Sequence, residues 1–514
     1  MAQDVLRAFE EPESTMRRKR FSIALLISTA AGCATDSFVS EITLESIAEN
    51  HCALRVTLST KEAPPDSLES VQNERHLTHQ THWTRLADDE YETVILGLSA
   101  DSEVTVSITD TTPLQATART RPLPADLPPI EQTVSGAIDS DLITIFPVFQ
   151  FTPSVDPEWG YLVAVDALAN IIWYQDIGHL SLLFSVTETN TVLYSHTAEA
   201  LIEHHPRTGI VTTWEADNSA LDTVHHEAYK RDNGGWALLS SEHQEISGFP
   251  NGQQYNIIGD VLAEVDSDGT VVWETSVLDF IDPTEYFTDD MHTTFWEQWP
   301  YDTLDTPKDW SHANAMIWNE ARQEWMTSLR NIDRLAAFSR ETGDLTWTFG
   351  PDGSFALKEG GRWFSRQHAP IWTSDTTVLL YDNGLQRRDA GEDEFPYTRV
   401  VEYALDFDTY VATELWSYSG SLPYLAPIVG QATPLPDGAL LITDGAIFDG
   451  TIPVDGEDIS HFSARIVELE RTVPPQVRSE LVIGTPKDLD TPGYMVYRAH
   501  RSTRQQFLGA QVHD

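Results

Sequence analysis

Residues 312–350 read HANAMIWNEARQEWMTSLRNIDRLAAFSRETGDLTWTFG, and four strands can be drawn in that one stretch. HANAMIW runs into a turn at NEARQ, EWMTSLR returns, RLAAFS follows, and RETG turns into DLTWTFG. Alternating apolar, β-branched and aromatic positions joined by short polar turns are the pattern of antiparallel hairpins. The plan recurs along the chain. A fifth unit runs from HAPIWTS (368–374) through TTVLLYDNG to TELWSYS, and a third from HHEAYK (225–230) through GGWALLSSE to TVVWETS. A second begins at HLSLLFSV (179–186), a sixth at GQATPLPDG (430–438), and an incomplete first at LITIFPVF (142–149). Trp173, Trp214, Trp273, Trp347 and Trp416 mark the outer hairpins of the first five units. Recurrence at intervals of tens of residues signals a repeat architecture, and a four-stranded unit fits a propeller blade. The expectation is an all-β chain with a six-bladed β-propeller over residues 136–514. The C-terminal YMVYRAHRS (494–502) would supply the strand the first unit lacks, leaving no open edge.

Ahead of the repeats, CALRVTLST (52–60), YETVILGLS (91–99) and EVTVSITD (103–110) alternate with no helical period, and the Pro-rich RPLPADLPP (121–129) follows. This spacing predicts a small fibronectin-III-like β-sandwich over 41–122 and a linker over 123–135. Long insertions at 277–311 and 351–367 each precede a first strand, so they are expected on the rim of the channel mouth, where binding residues tend to sit.

The charge balance narrows the function. Lys and Arg number 32 against 80 Asp and Glu, a formal net charge of −48, which argues against a nucleic-acid or anionic-membrane surface. Residues 16–33, MRRKRFSIALLISTAAGC, have a basic head, an apolar run and small residues before a cysteine. That is the pattern of an export signal, and the run is too short to span a bilayer as a mature helix. An acidic leader before the basic head points to translation from Met16. AAGC resembles a bacterial lipobox, so 1–33 reads as a signal segment, Cys33 as the lipidated residue and 34–40 as a tether. The expected location is the periplasm, an outer-membrane anchor or the cell surface, with membrane contact only through the lipid. Cys52 is the one other cysteine, read as a small buried hydrophobe or as a partner for Cys33. No cysteine-based metal site can be built from two.

His225, His312 and His368 each open a first strand, so three successive units bring an imidazole to one end of the channel. His179 is a looser fourth. Asn314 lies two residues beyond His312 and would face the same side of a strand. Arg330 ends the second strand of that unit, and the hairpin should return it beside His312. Three imidazoles can bind zinc or copper, but an arginine beside them would repel a dication, and only Glu227 offers a carboxylate in register. They can alternatively receive an oxyanion, with the arginine gripping a sulfate or phosphate and a neutral histidine attacking its central atom. The plain structural reading is that each histidine caps its unit through backbone hydrogen bonds. Arg387 and Arg388 follow the fifth unit's second strand and are read as substrate-steering groups.

The segments HHEAYKRDNGGWALL, DWSHANAMIWNEARQEWMTSLRNIDRLAAFSRETGDLTWTFG and FSRQHAPIWTSDTTVLLYDNG, with the tail YMVYRAHRS, resemble the bacterial arylsulfotransferases. The resemblance implies a six-bladed propeller that moves a sulfuryl group from an aryl sulfate to a phenolic acceptor without phosphoadenosine phosphosulfate. It implies His368 as the nucleophile that becomes sulfated, in a ping-pong cycle. His312, Asn314 and Arg330 would hold sulfate oxygens, and His225 or His226 would be the earlier histidine, with internal alignment favouring His225. No cofactor, metal or nucleic-acid partner is implied. The partners are the aryl sulfate and the phenol, and homo-oligomerisation stays open. No Gly-rich phosphate loop is present to cradle a nucleotide donor. Two readings of other classes stand beside it: a non-catalytic extracellular binding propeller, and a quinone-dependent dehydrogenase, suggested by VDSDGTVVW and SRETGDLTW. The dehydrogenase would need eight units, calcium and a coloured cofactor.

Overall fold

The structure, a computed structural model, describes residues 39–513 except 109–113, 137–138, 152–158, 217–218, 287–295, 297–299, 388–390, 392–393, 422, 449–461 and 485–492. The signal segment, Cys33, most of the tether and Arg388 therefore lie outside the described residues. The described chain is almost wholly β, with one short α-helix, Arg504–Leu508.

Among the described residues six sheets follow one another, each built mainly from consecutive antiparallel strands. The fourth comprises Ala313–Asn319, Glu324–Leu329, Arg334–Ser339 and Leu345–Phe349, as the opening stretch predicts. Every residue of Glu324–Leu329 is buried, because both faces of the sheet pack on neighbouring sheets. Apolar side chains fill the gaps between successive sheets, as with Leu239, Ala313, Met316 and Phe338 between the third and fourth. The recurrent tryptophans act as bolts across these gaps. Trp347 is 2% exposed, donates Nε1 to Glu324 at 2.9 Å and meets Trp372 and Phe407 of the fifth sheet edge-on. Removing a side chain so placed typically costs ~3–5 kcal/mol.

The opening strands of the second to sixth sheets are Phe184–Val186, His225–Lys230, Ala313–Asn319, His368–Ser374 and Gln431–Pro434, each lying against the next. The first sheet takes its corresponding strands from the C-terminus: Gly493–Val496 and His500–Thr503 both pair with Leu142–Phe151. Together these strands line a central cavity of about 980 Å³.

Two boundaries differ from the sequence expectation. Ile130–Ser135, read as linker, is a strand that pairs with Gln476–Ile483 on the outer edge of the sixth sheet. Ala510–His513, read as part of the ring, pairs instead with Arg75–Gln80 of the N-terminal sheets. Both segments cover strand edges that would otherwise be left open, a need that residue patterns alone do not reveal. The N-terminal region forms two sheets, one ordered Val39–Ser46, Leu54–Thr60, Glu90–Ile95, Thr84–Ala87. The other runs Ala510–His513, Arg75–Gln80, Ser67–Gln72, Glu103–Ile108, Leu114–Arg119, and the two share a core that includes Leu54, Val56, Leu68, Val104 and Val106. Cys52 is buried beside the first repeat sheet, where burial pushes its thiol up to about 12.

Candidate active site

In three successive sheets the opening strand carries an irregularity at the same place. Pairing breaks between His225 and Ala228, between Ala313 and Met316, and between His368 and Ile371. These β-bulges re-aim side chains that simple alternation would have sent elsewhere. Left-handed backbone accompanies them at His226 (φ 58°), His312 (φ 50°) and Ala369 (φ 43°). Each such non-glycine residue costs on the order of 1–3 kcal/mol, and such strain gathers at functional sites.

The bulges correct two expectations. His225 and His368 are equivalent, opposite Leu239 and Tyr381, but the equivalent residue in the fourth sheet is Ala313, opposite Leu329; His312 precedes the register. His226, rather than His225, stands at the centre of the cluster. Its ring lies 5.0 Å from His312 and 6.1 Å from Tyr497, whereas His225 sits behind it, edge-on to Trp296 at 5.4 Å.

Hydrogen bonds fix which nitrogen carries each proton. His225 Nε2 faces the Ser240 carbonyl at 3.0 Å, so it carries a proton, and its Nδ1 accepts from His226 Nδ1 at 2.8 Å. That leaves the lone pair of neutral His226 on Nε2. His368 Nδ1 faces Asn383 Oδ1 at 2.7 Å and the Arg366 carbonyl at 3.2 Å, both acceptors. The Asn383 amide cannot be reversed, because its Nδ2 donates to the carbonyls of Ala426 at 2.7 Å and Val429 at 2.8 Å. His368 therefore keeps its proton on Nδ1 and its lone pair on Nε2. Asp309 accepts from His312 Nδ1, and Asn331 Nδ2 holds the Asp309 carbonyl at 2.7 Å.

Electrostatics favour neutral rings at His368, His226 and His225. Burial holds His368 well below the usual histidine range, the charge of Arg330 pushes it further, and the Asn383 bond opposes both. Burial does the same to His226, with His312, His225, His368 and Arg498 adding to it, and brings His225 down to about 4. Asp260 bridges the third and fourth sheets, accepting from Ala313 N at 2.8 Å and lying 3.4 Å from His225 Nε2; burial pushes its carboxyl up to about 7.

Arg330 does return beside His312, its backbone N–H donating to the His312 carbonyl at 3.2 Å. Its guanidinium reaches Asn331 Oδ1 at 2.8 Å and the Pro427 carbonyl at 3.2 Å. Asn314 donates to the Gln367 carbonyl at 2.7 Å, tying the fourth sheet to the residue before His368. His179 stays apart, bonded to the Ser195 carbonyl at 3.0 Å, with its ring tilted against that of His196 at 4.4 Å. Arg387 does not reach the channel: it is 2% exposed, ion-paired with Asp382, and its Nη2 donates to the Tyr397 carbonyl at 2.8 Å. A buried carboxylate beside it outcompetes any open position at the mouth.

Four groups escaped sequence reasoning: Asp309, Asn383, Tyr497 and Arg498. Each lies inside a segment singled out for other reasons (DWSHANAM, LLYDNG and YMVYRAHRS), but none shows a spacing that marks a role. The insertion 277–311 contributes Trp296 against His225, and Asp309 against His312.

The arylsulfotransferase (ASST) family model matches residues 147–480, nearly two thirds of the chain and all three bulged strands. The chain belongs to the arylsulfotransferase family. Membership supports aryl sulfotransferase activity in general. No curated protein matches the chain. Solved structures resemble it only distantly. A periplasmic gluconolactonase of Pseudomonas aeruginosa is 10% identical with a TM-score of 0.35, covering 69% of this chain and 99% of its own. An auxiliary nutrient binding protein of Bacteroides ovatus is 9% identical with a TM-score of 0.32 over 84% of each chain.

Proposed function

We propose that this arylsulfotransferase moves a sulfuryl group from an aryl sulfate ester to a phenolic acceptor in two steps, through a sulfated His368. One observation carries the reading: Asn383 locks His368 with its lone pair on Nε2, in a buried position that keeps the ring neutral and places it beside the positive charge of Arg330. His368 Nε2 attacks sulfur, the S–O bond to the aryl group breaks, and its electron pair leaves with the phenolate. His312, braced by Asp309, donates the proton that the phenolate takes up. Arg330 neutralises the charge on the non-bridging oxygens, with Asn314 and His226 lining the same site. The acceptor phenol then gives its proton to His312 and takes the sulfuryl group, restoring His368.

The fold supports the reading at its finer level. We take the six sheets around one cavity as six propeller blades, and the two N-terminal sheets, with their strand order, as a fibronectin-III-like sandwich. Export and lipidation at Cys33 rest on the N-terminal residue pattern. A binding propeller has no need of a tautomer-locked, strained histidine cluster, and a quinone dehydrogenase would need eight blades. The test is release of coloured phenol from a chromogenic aryl sulfate in the presence of a second phenol. Wild type should form the new aryl sulfate and His368→Ala should not; no turnover with any aryl donor would favour the binding module.

A further inference from the structure

Arg498 lies between the two C-terminal strands of the first sheet, directly after Tyr497. Its Nη1 donates to Glu227 at 2.6 Å, its Nη2 donates to the Asn314 carbonyl at 2.8 Å, and its guanidinium sits 4.9 Å from the Tyr497 ring. The side chains of Arg498 and Glu227 are 6% and 5% exposed. Glu227 is the residue after His226, and Asn314 stands two residues beyond His312. One guanidinium thus ties the first, third and fourth sheets together through the residue that follows His226. The central cavity continues beyond it: Glu227, Ala369 and Arg498 line that cavity, while His226, His312 and His368 do not. Buried ion pairs are commonly no more stabilising than apolar side chains of the same size. Stability alone therefore does not account for a charge in this position.

We propose that Arg498 is a positioning residue for the transfer, clamped by Glu227 and the Asn314 carbonyl so that it holds a second fixed positive charge near the histidines. The inference rests on the sulfuryl-transfer reading. Arg330 supplies the first such charge. The groups facing His226 are His225, His312, His368, Tyr497 and Arg498; those facing His368 are Arg330, Asn383, the Arg366 carbonyl, His312 and Arg498. Among them the two arginines are permanently charged, and both make an imidazolium at His368 unfavourable. A fixed guanidinium near the site attracts the sulfate monoester and keeps the ring that must attack it unprotonated. Glu227 holds that guanidinium and offsets part of its charge, but it is the guanidinium that lowers both His226 and His368.

The test compares wild type with the double variant Glu227→Gln/Arg498→Met, which leaves no unpaired buried charge, and with Arg498→Lys. Two readouts are taken: the pH dependence of kcat/KM for an aryl sulfate, and the NMR titration of the histidine ring protons, which needs no turnover. In the folded double variant His226 and His368 should titrate higher than in wild type, because the Arg498 charge that lowers both is gone. The acid limb of kcat/KM should move with them, and kcat/KM should fall about tenfold or more. Arg498→Lys keeps the charge but not the two-pronged clamp, so it should titrate like wild type with a several-fold lower kcat. Unchanged histidine titration in the double variant, or wild-type kcat in Arg498→Lys, overturns the proposal. If wild type itself turns over no aryl sulfate, the functional reading fails, and the titrations still decide the role of Arg498.

Discussion

Replacing Asn383 by alanine tests the claim that one amide sets the reactivity of His368. The substitution removes the acceptor 2.7 Å from His368 Nδ1 and leaves only the longer bond to the Arg366 carbonyl at 3.2 Å. The ring then loses the hydrogen bond that disfavours a proton on Nε2. A buried hydrogen bond left unmade costs about 1–3 kcal/mol. If that loss falls on the attacking state, sulfuryl transfer to His368 slows about 5- to 150-fold. The same change removes the Asn383 donor from the carbonyls of Ala426, which keeps Thr398 Oγ1 at 3.4 Å, and of Val429, so a stability loss of about 1–3 kcal/mol accompanies it where water does not reach the Val429 carbonyl. The assay is the pre-steady-state burst of phenol release from a chromogenic aryl sulfate without acceptor, run well below the melting temperature of the variant. Binding of the donor should change little. A folded Asn383→Ala protein with a burst rate indistinguishable from wild type would refute control of His368 by Asn383.

Two further outcomes follow from neighbouring groups. Asp309→Asn weakens the support for a protonated His312, so turnover should fall ~10–100-fold for aryl sulfates with poorly acidic phenols and little for those with acidic ones. A plot of rate against leaving-group pKa would show a steeper slope in the variant, and equal slopes would contradict the acid role. Stability should also fall as pH drops from 6.5 to 5. Burial holds His79 near 3 and His204 and His225 near 4, all below the ordinary value of 6.5, so in this window the unfolded chain takes up protons that the folded chain refuses. Each of the three contributes up to about 2 kcal/mol of loss at pH 5. Asp260, raised to about 7, acts in the opposite sense, as do the raised carboxyls of Asp141 and Glu227, since the folded state protonates them first, but the lowered histidines outnumber them. A urea midpoint that stays level or rises between pH 6.5 and 5 would contradict this balance.

The repeat plan was legible because hairpin turns and tryptophans recur within each unit, and antiparallel strands of neighbouring sequence pair locally. The ring's closure was only half legible. YMVYRAHRS stood out as a strand without a sheet, but the pairings of Ile130–Ser135 and Ala510–His513 join residues hundreds of positions apart and leave no local trace. At the site, His312, His368 and Arg330 could be placed from their positions at strand ends. The choice between His225 and His226 could not, because a bulge with left-handed backbone at His226 overrides the alternation on which the choice relied. Asn383 and Arg498 were invisible for another reason. Their roles depend on what they hold across sheet boundaries, and neither residue type nor spacing along the chain encodes that.

The most direct test of the account is the covalent intermediate itself. Wild-type protein exposed to an aryl sulfate without acceptor, digested under mildly alkaline conditions that preserve phosphoramidate-like N–S bonds, should yield one peptide heavier by the mass of SO₃. Fragmentation should place that mass on His368, and adding a phenol before digestion should remove it. Phenol release with no adduct, or an adduct on His226 or His312 instead, would contradict the assignment of His368 as the nucleophile.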